Sequence, residues 1–301
     1  MNKALNLARS LHILALLLLS AIPVAAQSRV ECSALKSRIL GDAVHYCVIL
    51  PRSYDAPDAK RATQRYPVLY FLHGLGGDEQ MLVKMGGLTV IDDFREQHKI
   101  GDFLIVTPEA KASFYVNSAD GKARYSDFFL QEFLPYIEGK YRVERQRSAR
   151  AITGVSMGGY GALRFAFGHP ELFSAVSGQS AALMTESAEE LNAGLRAGTP
   201  KARLLGSVFG APFNAAYWKQ NDPLLLAKKN QEGLRRVAIY FHCGNQDEYQ
   251  FEAGATKLHQ QLQAEGIKHE FHIYPGDHSA AYFLEHLGEV LQFHTSAFQG
   301  K

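Results

Sequence analysis

The 301 residues carry 32 Lys and Arg against 30 Asp and Glu, a formal net charge of +2, so no basic field marks a nucleic-acid partner. With 47% apolar and 21% charged residues, the chain has an ordinary globular balance and enough length for a substantial core, in one large domain or two small ones.

Residues 1–26 differ in kind from the rest. Lys3 and Arg9 precede a leucine-dominated apolar run over 11–22, followed by Pro23 and Val24-Ala25-Ala26-Gln27. A basic start, a short apolar middle and small residues before Gln27 describe a secretory signal peptide cleaved after Ala26. The run is short for a membrane span, and an uncleaved anchor is the competing reading. No cysteine follows the cleavage point, which speaks against a lipoprotein. No later segment is long and apolar enough to cross a bilayer, so the mature chain is expected to be secreted or periplasmic without stable membrane insertion.

From 30 to 50 two strand-like runs meet near Gly41-Asp42 and read as a hairpin. Cys32 and Cys47 lie in these two runs and could pair in an oxidising compartment, but the register that decides it is not readable. Cys243, the third cysteine, sits in an apolar strand and reads as a small buried hydrophobe. Residues 54–65 form a polar, proline-containing surface loop. Tyr66-Pro67-Val68-Leu69-Tyr70-Phe71-Leu72 is a nearly continuous apolar run, which suits a strand covered on both faces in a mostly parallel sheet. It ends in His73-Gly74-Leu75-Gly76-Gly77-Asp78, a glycine-rich loop that brings backbone amides into the open.

The alternation continues. Residues 88–97 read as a helix, 103–108 as a buried strand, and 109–122 as a long irregular loop with Phe114, Tyr115 and Asn117. Ser126 is positioned to cap a helix running to Tyr141, whose phenylalanines have the spacing of core packing. Then comes Gly154-Val155-Ser156-Met157-Gly158, after a strand that ends at about Thr153 and before a helix from 158 to 169 lined by Gly159, Gly161 and Ala162. This is the nucleophile-elbow pattern: a serine on a sharp, strained turn between strand and helix needs small residues two before and two after it.

Residues 173–177 form a short strand. Residues 181–232 break the alternation and read as a small helical cap, including Tyr217-Trp218, with the tryptophan as apt for packing as for substrate. Residues 237–243 form a strand ending in Gly244-Asn245-Gln246-Asp247-Glu248, 251–266 an amphipathic helix, and 269–274 a last strand ending in Pro275-Gly276-Asp277-His278. One final helix is expected over 280–298. With no repeat and no linker, residues 27–301 are expected to be a single domain of alternating strands and helices.

A serine hydroxyl is a poor nucleophile at neutral pH and needs a base, which in turn needs an orienting acid. After an elbow serine the expected chain order is acid, then histidine. Asp247 and His278 fit: each lies just beyond the end of a strand, on the edge that carries Ser156. His242, His269 and His272 lie inside strands and His259, His286 and His294 on helices. His73 precedes the serine and is placed to brace the loop after it. Asp277 adjoins His278 and is badly placed to orient it, while Asp222 and Glu248 remain alternative acids. The oxyanion-holding amides would be those of Leu75 and Met157, the second at a helix start. The expected chemistry is ester hydrolysis through an acyl-enzyme, with no cofactor. No paired CxxC and no helical His-Glu-His face points to a metal.

Together these residues resemble the esterase D-like branch of the α/β-hydrolases. The resemblance is carried by residues 66–74, by Phe133-Leu134-Pro135-Tyr136-Ile137 with Tyr141-Arg142, by Gly154-Val155-Ser156-Met157-Gly158-Gly159 and by Asn221-Asp222-Pro223, with Asp247 and His278 where that branch has its acid and base. It implies an α/β-hydrolase fold, a mostly parallel sheet with helices on both faces and a small helical cap. It also implies a carboxylic-ester hydrolase acting on short-chain acyl, or polysaccharide-linked acyl or feruloyl, esters. That branch also contains S-formylglutathione hydrolases and secreted mycolyltransferases, so thioester hydrolysis and acyl transfer stay open, as does a non-catalytic binding role. The signal peptide, and the lack of a threonine-cysteine pattern after Gly74, count against the formylglutathione reaction. Oligomeric state is not legible.

Overall fold

A computed structural model describes residues 28–56 and 63–300. The signal peptide expected over 1–26 lies outside the described residues, as does much of the 54–65 loop.

Eight strands form one sheet: β1 Arg29–Lys36, β2 Ala43–Leu50, β3 Val68–Leu72, β4 Leu104–Pro108, β5 Arg150–Val155, β6 Ala175–Gln179, β7 Ala238–Gly244 and β8 Glu270–Tyr274. Their order across the sheet is β1-β2-β4-β3-β5-β6-β7-β8. The β1–β2 and β2–β4 pairs are antiparallel and every other pair is parallel. Strands β3, β4 and β5 are buried along their whole length, which explains their unbroken apolar runs: both faces are covered. In the β1–β2 hairpin Cys32 is the register partner of Cys47, and the two form a disulfide.

The principal helices are α1 Gly87–Glu96, α2 Leu134–Lys140, α3 Met157–Gly168, α4 Ala188–Ala197, α5 Pro200–Phe209, α6 Ala215–Asn221, α7 Pro223–Lys229, α8 Phe251–Ala264, α9 Ala280–Glu285 and α10 Leu287–Phe298. One face of the sheet is covered by α2, α3, α7 and α8 over the larger core, which includes Tyr70, Ile152, Leu163 and Phe165. The other is covered by α1, α9 and α10 over Leu69, Phe71, Ile91 and Leu291. This is the expected mostly parallel sheet with helices on both sides. Among the described residues no helix is long and apolar enough to cross a membrane.

Residues 181–232 contain α4 to α7, and each start has its own cap. Ser187 and Glu190 form a reciprocal capping box on α4. Thr199, Asn214 and Asp222 accept backbone N–H bonds at the starts of α5, α6 and α7. Trp218 packs among Tyr160, Phe209 and Phe213, with ring centroids 6.0, 4.6 and 5.7 Å away.

Two local expectations are corrected. Ser126 does not cap a helix: it lies inside a single turn, Tyr125–Phe128, and its hydroxyl accepts a 2.6 Å bond from Arg164 Nη1. The chain then widens into a π-helical stretch, Phe129–Phe133, before α2. Pro135 accounts for the change of pitch, because its ring clashes with, and its missing N–H cannot reach, the carbonyl four residues back. The final helix is likewise two helices broken at His286. The break lets α9 sit under the His278 loop, capped by Ser279, while α10 packs on α1 with Gly288 pressed against the Phe94 ring.

Candidate active site

Ser156 joins β5 to α3 with φ 55° and ψ −119°, a left-handed conformation for a residue that is not glycine. The surroundings hold it there. Its N–H donates to Gln179 O (2.9 Å), and its carbonyl accepts from Tyr160 N (3.0 Å) and Ala182 N (3.0 Å). The small flanking residues follow from contact. A Cβ on Gly154 would lie 2.3 Å from the Gly158 carbonyl, and one on Gly158 would lie 2.0 Å from Leu72 O. The turn can be this sharp only because backbone meets backbone on both sides.

Leu72 O ends β3, and the loop beyond it comes to the same place. A Cβ on Gly74 would lie 3.4 Å from Ser156 Cβ. Gly77 N donates 3.0 Å to Gly74 O, closing a turn in which Gly76 takes φ +78° at the position that favours glycine. Leu75 is the residue between. His73 fixes the base of this loop. Its Nδ1–H donates to Gly74 O (2.7 Å), its Nε2 accepts from Ala110 N (2.9 Å), and its own carbonyl accepts from Tyr115 OH (2.9 Å). Burial, only partly opposed by the Gly74 carbonyl, holds the imidazole below its ordinary pKa, so the ring is neutral and its tautomer is set. Met157 opens α3, where first-turn amides have no partner within the helix.

Asp247 and His278 lie on the loops after β7 and β8. His278 Nδ1–H donates 2.7 Å to Asp247 Oδ2, and Ser156 Oγ stands 2.9 Å from His278 Nε2. Because the carboxylate can only accept, the ring proton sits on Nδ1 and leaves Nε2 open to the serine hydroxyl. The Asp247 side chain is fully buried and that of His278 is 9% exposed. Burial by itself would raise the Asp247 carboxyl. Bonds from His278 and from Tyr249 N (2.9 Å) outweigh it and hold the group below the usual carboxylate range.

Ser156, Met157, Leu75 and His278 all border one cavity of about 550 Å³. Its remaining wall is mostly apolar: Phe114, Met184, Leu204, Leu205 and Phe251 among others, with Lys201 its one cation among the described residues. The wall from α5 belongs to the segment expected as a cap. Lys201 is ion-paired to Glu186.

The alternative acids are elsewhere. Asp222 Oδ1 caps α7 by accepting from Leu224 N at 3.0 Å. Glu248 reaches the His278 backbone N–H (3.1 Å), not its ring. Of the other strand and helix histidines, His242 is hydrogen-bonded to Tyr282, His259 to His269 and His294 to Ser177. Among the described residues, no group of three or more His, Cys, Asp or Glu is placed to hold a metal ion.

A family model described as putative esterase matches residues 37–294. The chain belongs to the putative esterase family. An esterase of Mycobacterium tuberculosis is 30% identical over 254 residues, 74% of this chain and 51% of that protein, so the chain spans about half the length of this relative. An acetyl esterase of Caldicellulosiruptor saccharolyticus is 26% identical over 216 residues, 70% of this chain and 78% of that one. Among solved structures, a ferulic acid esterase superposes with a TM-score of 0.76 at 28% identity, covering 90% of this chain and 99% of that one.

Three aromatic rings surround the imidazole, none of them among the residues expected at the site. Tyr249, Phe251 and Phe283 meet the His278 ring edge-on, with centroids 4.9, 5.5 and 5.2 Å away. Two of them follow Asp247 within four residues, a usable signal, since the loop carrying Asp247 must also approach His278.

Proposed function

We propose that the chain is a serine carboxylic-ester hydrolase in which Ser156 is the nucleophile, His278 the general base and Asp247 its orienting acid. One observation carries the reading: the unbroken hydrogen-bond chain Ser156–His278–Asp247 opens onto an apolar cavity. Ser156 Oγ attacks the ester carbonyl as His278 Nε2 takes its proton. The oxygen that becomes negative is held by the Leu75 and Met157 amides. Collapse of the tetrahedral intermediate breaks the C–O bond, and the leaving alcohol takes the proton back from His278. Water, deprotonated by the same ring, then attacks the acyl-enzyme and frees acid and Ser156. Asp247 stays ionised and stabilises the imidazolium in both halves.

The substrates are short-chain acyl esters or acyl and feruloyl groups carried on polysaccharide. The ferulic acid esterase and acetyl esterase relatives support this, as does a cavity larger than an acetyl group needs, walled by α5 of the cap. Export fits the leader composition of residues 1–26, with cleavage after Ala26, and the Cys32–Cys47 disulfide supports an oxidising destination. Residues 27–301 act as one domain with 181–232 as its cap.

The test is hydrolysis of p-nitrophenyl acetate, p-nitrophenyl butyrate and a methyl ferulate series by purified wild type and Ser156→Ala. Turnover of at least one ester by wild type, lost in the variant, supports the reading. Activity that survives the substitution overturns it.

A further inference from the structure

The triad carboxylate has a contact that the mechanism above does not use. Cys243, near the end of β7, is buried, and its Sγ lies 3.6 Å from Asp247 Oδ2 and 3.5 Å from Ser180 Oγ. Asp247 Oδ2 is the oxygen that accepts from His278 Nδ1. Ser180 follows β6 directly, is fully buried, and holds φ +39°, a second strained residue within reach of the elbow. Its N–H donates 2.8 Å to His242 O, which locks it across the β6–β7 pair.

The direction of these bonds follows from what each group can do. An ionised carboxylate only accepts, so the single thiol proton of Cys243 goes to Asp247. The sulfur is then left as an acceptor, and the Ser180 hydroxyl donates to it. A chain O–H to S–H to carboxylate results, running from the end of β6 through β7 into the loop that carries the acid. We propose that Cys243, backed by Ser180, is a positioning residue of the triad: its thiol holds Asp247 Oδ2 against His278 and moderates how strongly that carboxylate stabilises the imidazolium.

Two further features fit. The thiol is pushed up to about 12, by burial first and by the Asp247 charge, so it keeps its proton and remains a donor at any working pH. Neither Cys243 nor Ser180 borders the substrate cavity, so neither acts by touching the ester. The other titratable groups around the pair are Glu248 on the His278 amide, Tyr249 at the ring edge, Tyr282 beneath the loop, Glu252 in the first turn of α8, Asp277 beside the histidine and Lys201 across the cavity. Apart from His278 and Cys243, the Asp247 carboxylate takes a bond only from the Tyr249 amide among the described residues.

The inference rests on the proposed triad, and the experiment separates the two. The kcat/KM of wild type, Cys243→Ala, Cys243→Ser and Ser180→Ala is followed from pH 5 to 9 on p-nitrophenyl butyrate, with Ser156→Ala as control. Losing a donor makes the carboxylate a stronger partner for the imidazolium. The acid limb of Cys243→Ala should therefore move up by about half a pH unit, kcat should fall several-fold, and KM should stay. Cys243→Ser keeps a donor and should leave the limb at or below the wild-type position. Ser180→Ala should shift it the same way as Cys243→Ala, by less, and carries the test alone if Cys243→Ala does not fold. A limb that stays put in Cys243→Ala and Ser180→Ala, with kcat lowered equally at every pH, overturns the inference and leaves Cys243 as packing. Activity retained in Ser156→Ala would instead sink the triad reading itself.

Discussion

Gly244, the last residue of β7, lies so close to Gly276 in the loop after β8 that a Cβ on Gly244 would fall 2.4 Å from the Gly276 carbonyl oxygen. The contact is reinforced by Gln246 N donating 2.8 Å to Gly276 O and Asn245 N donating 2.8 Å to Tyr274 O. These bonds clamp the Asp247 loop to the His278 loop. Gly244→Ala should push them apart. A displacement of this kind costs on the order of 10²-fold in kcat with little change in KM. Steady-state kinetics beside a circular-dichroism melt separates misplacement from unfolding: a variant with wild-type kcat would show that the clamp is dispensable.

The two candidate acids should part company under isosteric substitution. Asp247→Asn should lower kcat by about 10³–10⁴-fold with the fold kept, because the amide cannot hold the ring in the required tautomer. Asp222→Asn should keep kcat, since asparagine caps α7 as well as aspartate does, and should change stability by less than ~0.5 kcal/mol. The reverse pattern would move the acid to Asp222.

Two buried histidines make stability depend on pH. Burial pushes His242 and His294 down to about 3, with His286 and His272 adding to the effect on His242. Both are neutral when folded, while in the unfolded chain they bind protons below about 6.5. Their contribution is therefore complete above pH 6.5 and is lost as pH falls from there toward 3, at up to about 1.4 kcal/mol per pH unit for each. The melting temperature should drop steadily from pH 6.5 to 4.5, and His294→Gln should flatten that slope. An unchanged slope in the variant would assign the acid sensitivity to other groups.

Reduction should destabilise without inactivating. The Cys32–Cys47 bond closes a loop with a sequence separation of 15, worth about 3 kcal/mol by chain entropy. It joins the edge strand β1 to its neighbour β2, with β4 and β3 between it and the elbow strand. Dithiothreitol, or the Cys32→Ser/Cys47→Ser pair, should lower the melting temperature by several degrees and leave kcat at 25 °C unaltered. A loss of kcat would mean that the hairpin reaches the site.

Much of the framework is legible because it is dictated locally. The apolar runs of β3, β4 and β5 announce strands covered on both faces. Gly154 and Gly158 announce a turn that no Cβ could enter. What escapes the sequence depends on contacts between distant segments. Whether Cys32 meets Cys47 hangs on the register of one hairpin. The π-helical widening at Phe129–Phe133 answers to Pro135, and the break at His286 answers to Phe94 on another helix. The cap helices had readable starts in Ser187, Thr199-Pro200, Asn214 and Asp222-Pro223, yet which of their faces would wall the cavity is settled only by packing. The rings around His278 come from two places in the chain: Tyr249 and Phe251 follow Asp247 closely, but only packing brings Phe283 of α9 to them.

Every step of the proposed reaction passes through Ser156 as the acyl-accepting group. The most direct measurement is labelling with a fluorophosphonate ester, followed by intact mass and peptide mapping, with residual p-nitrophenyl butyrate hydrolysis followed in parallel. The expected result is one phosphonyl adduct per chain on the peptide containing Ser156, with activity lost in proportion. An adduct on another residue, or full activity in fully labelled protein, would contradict it.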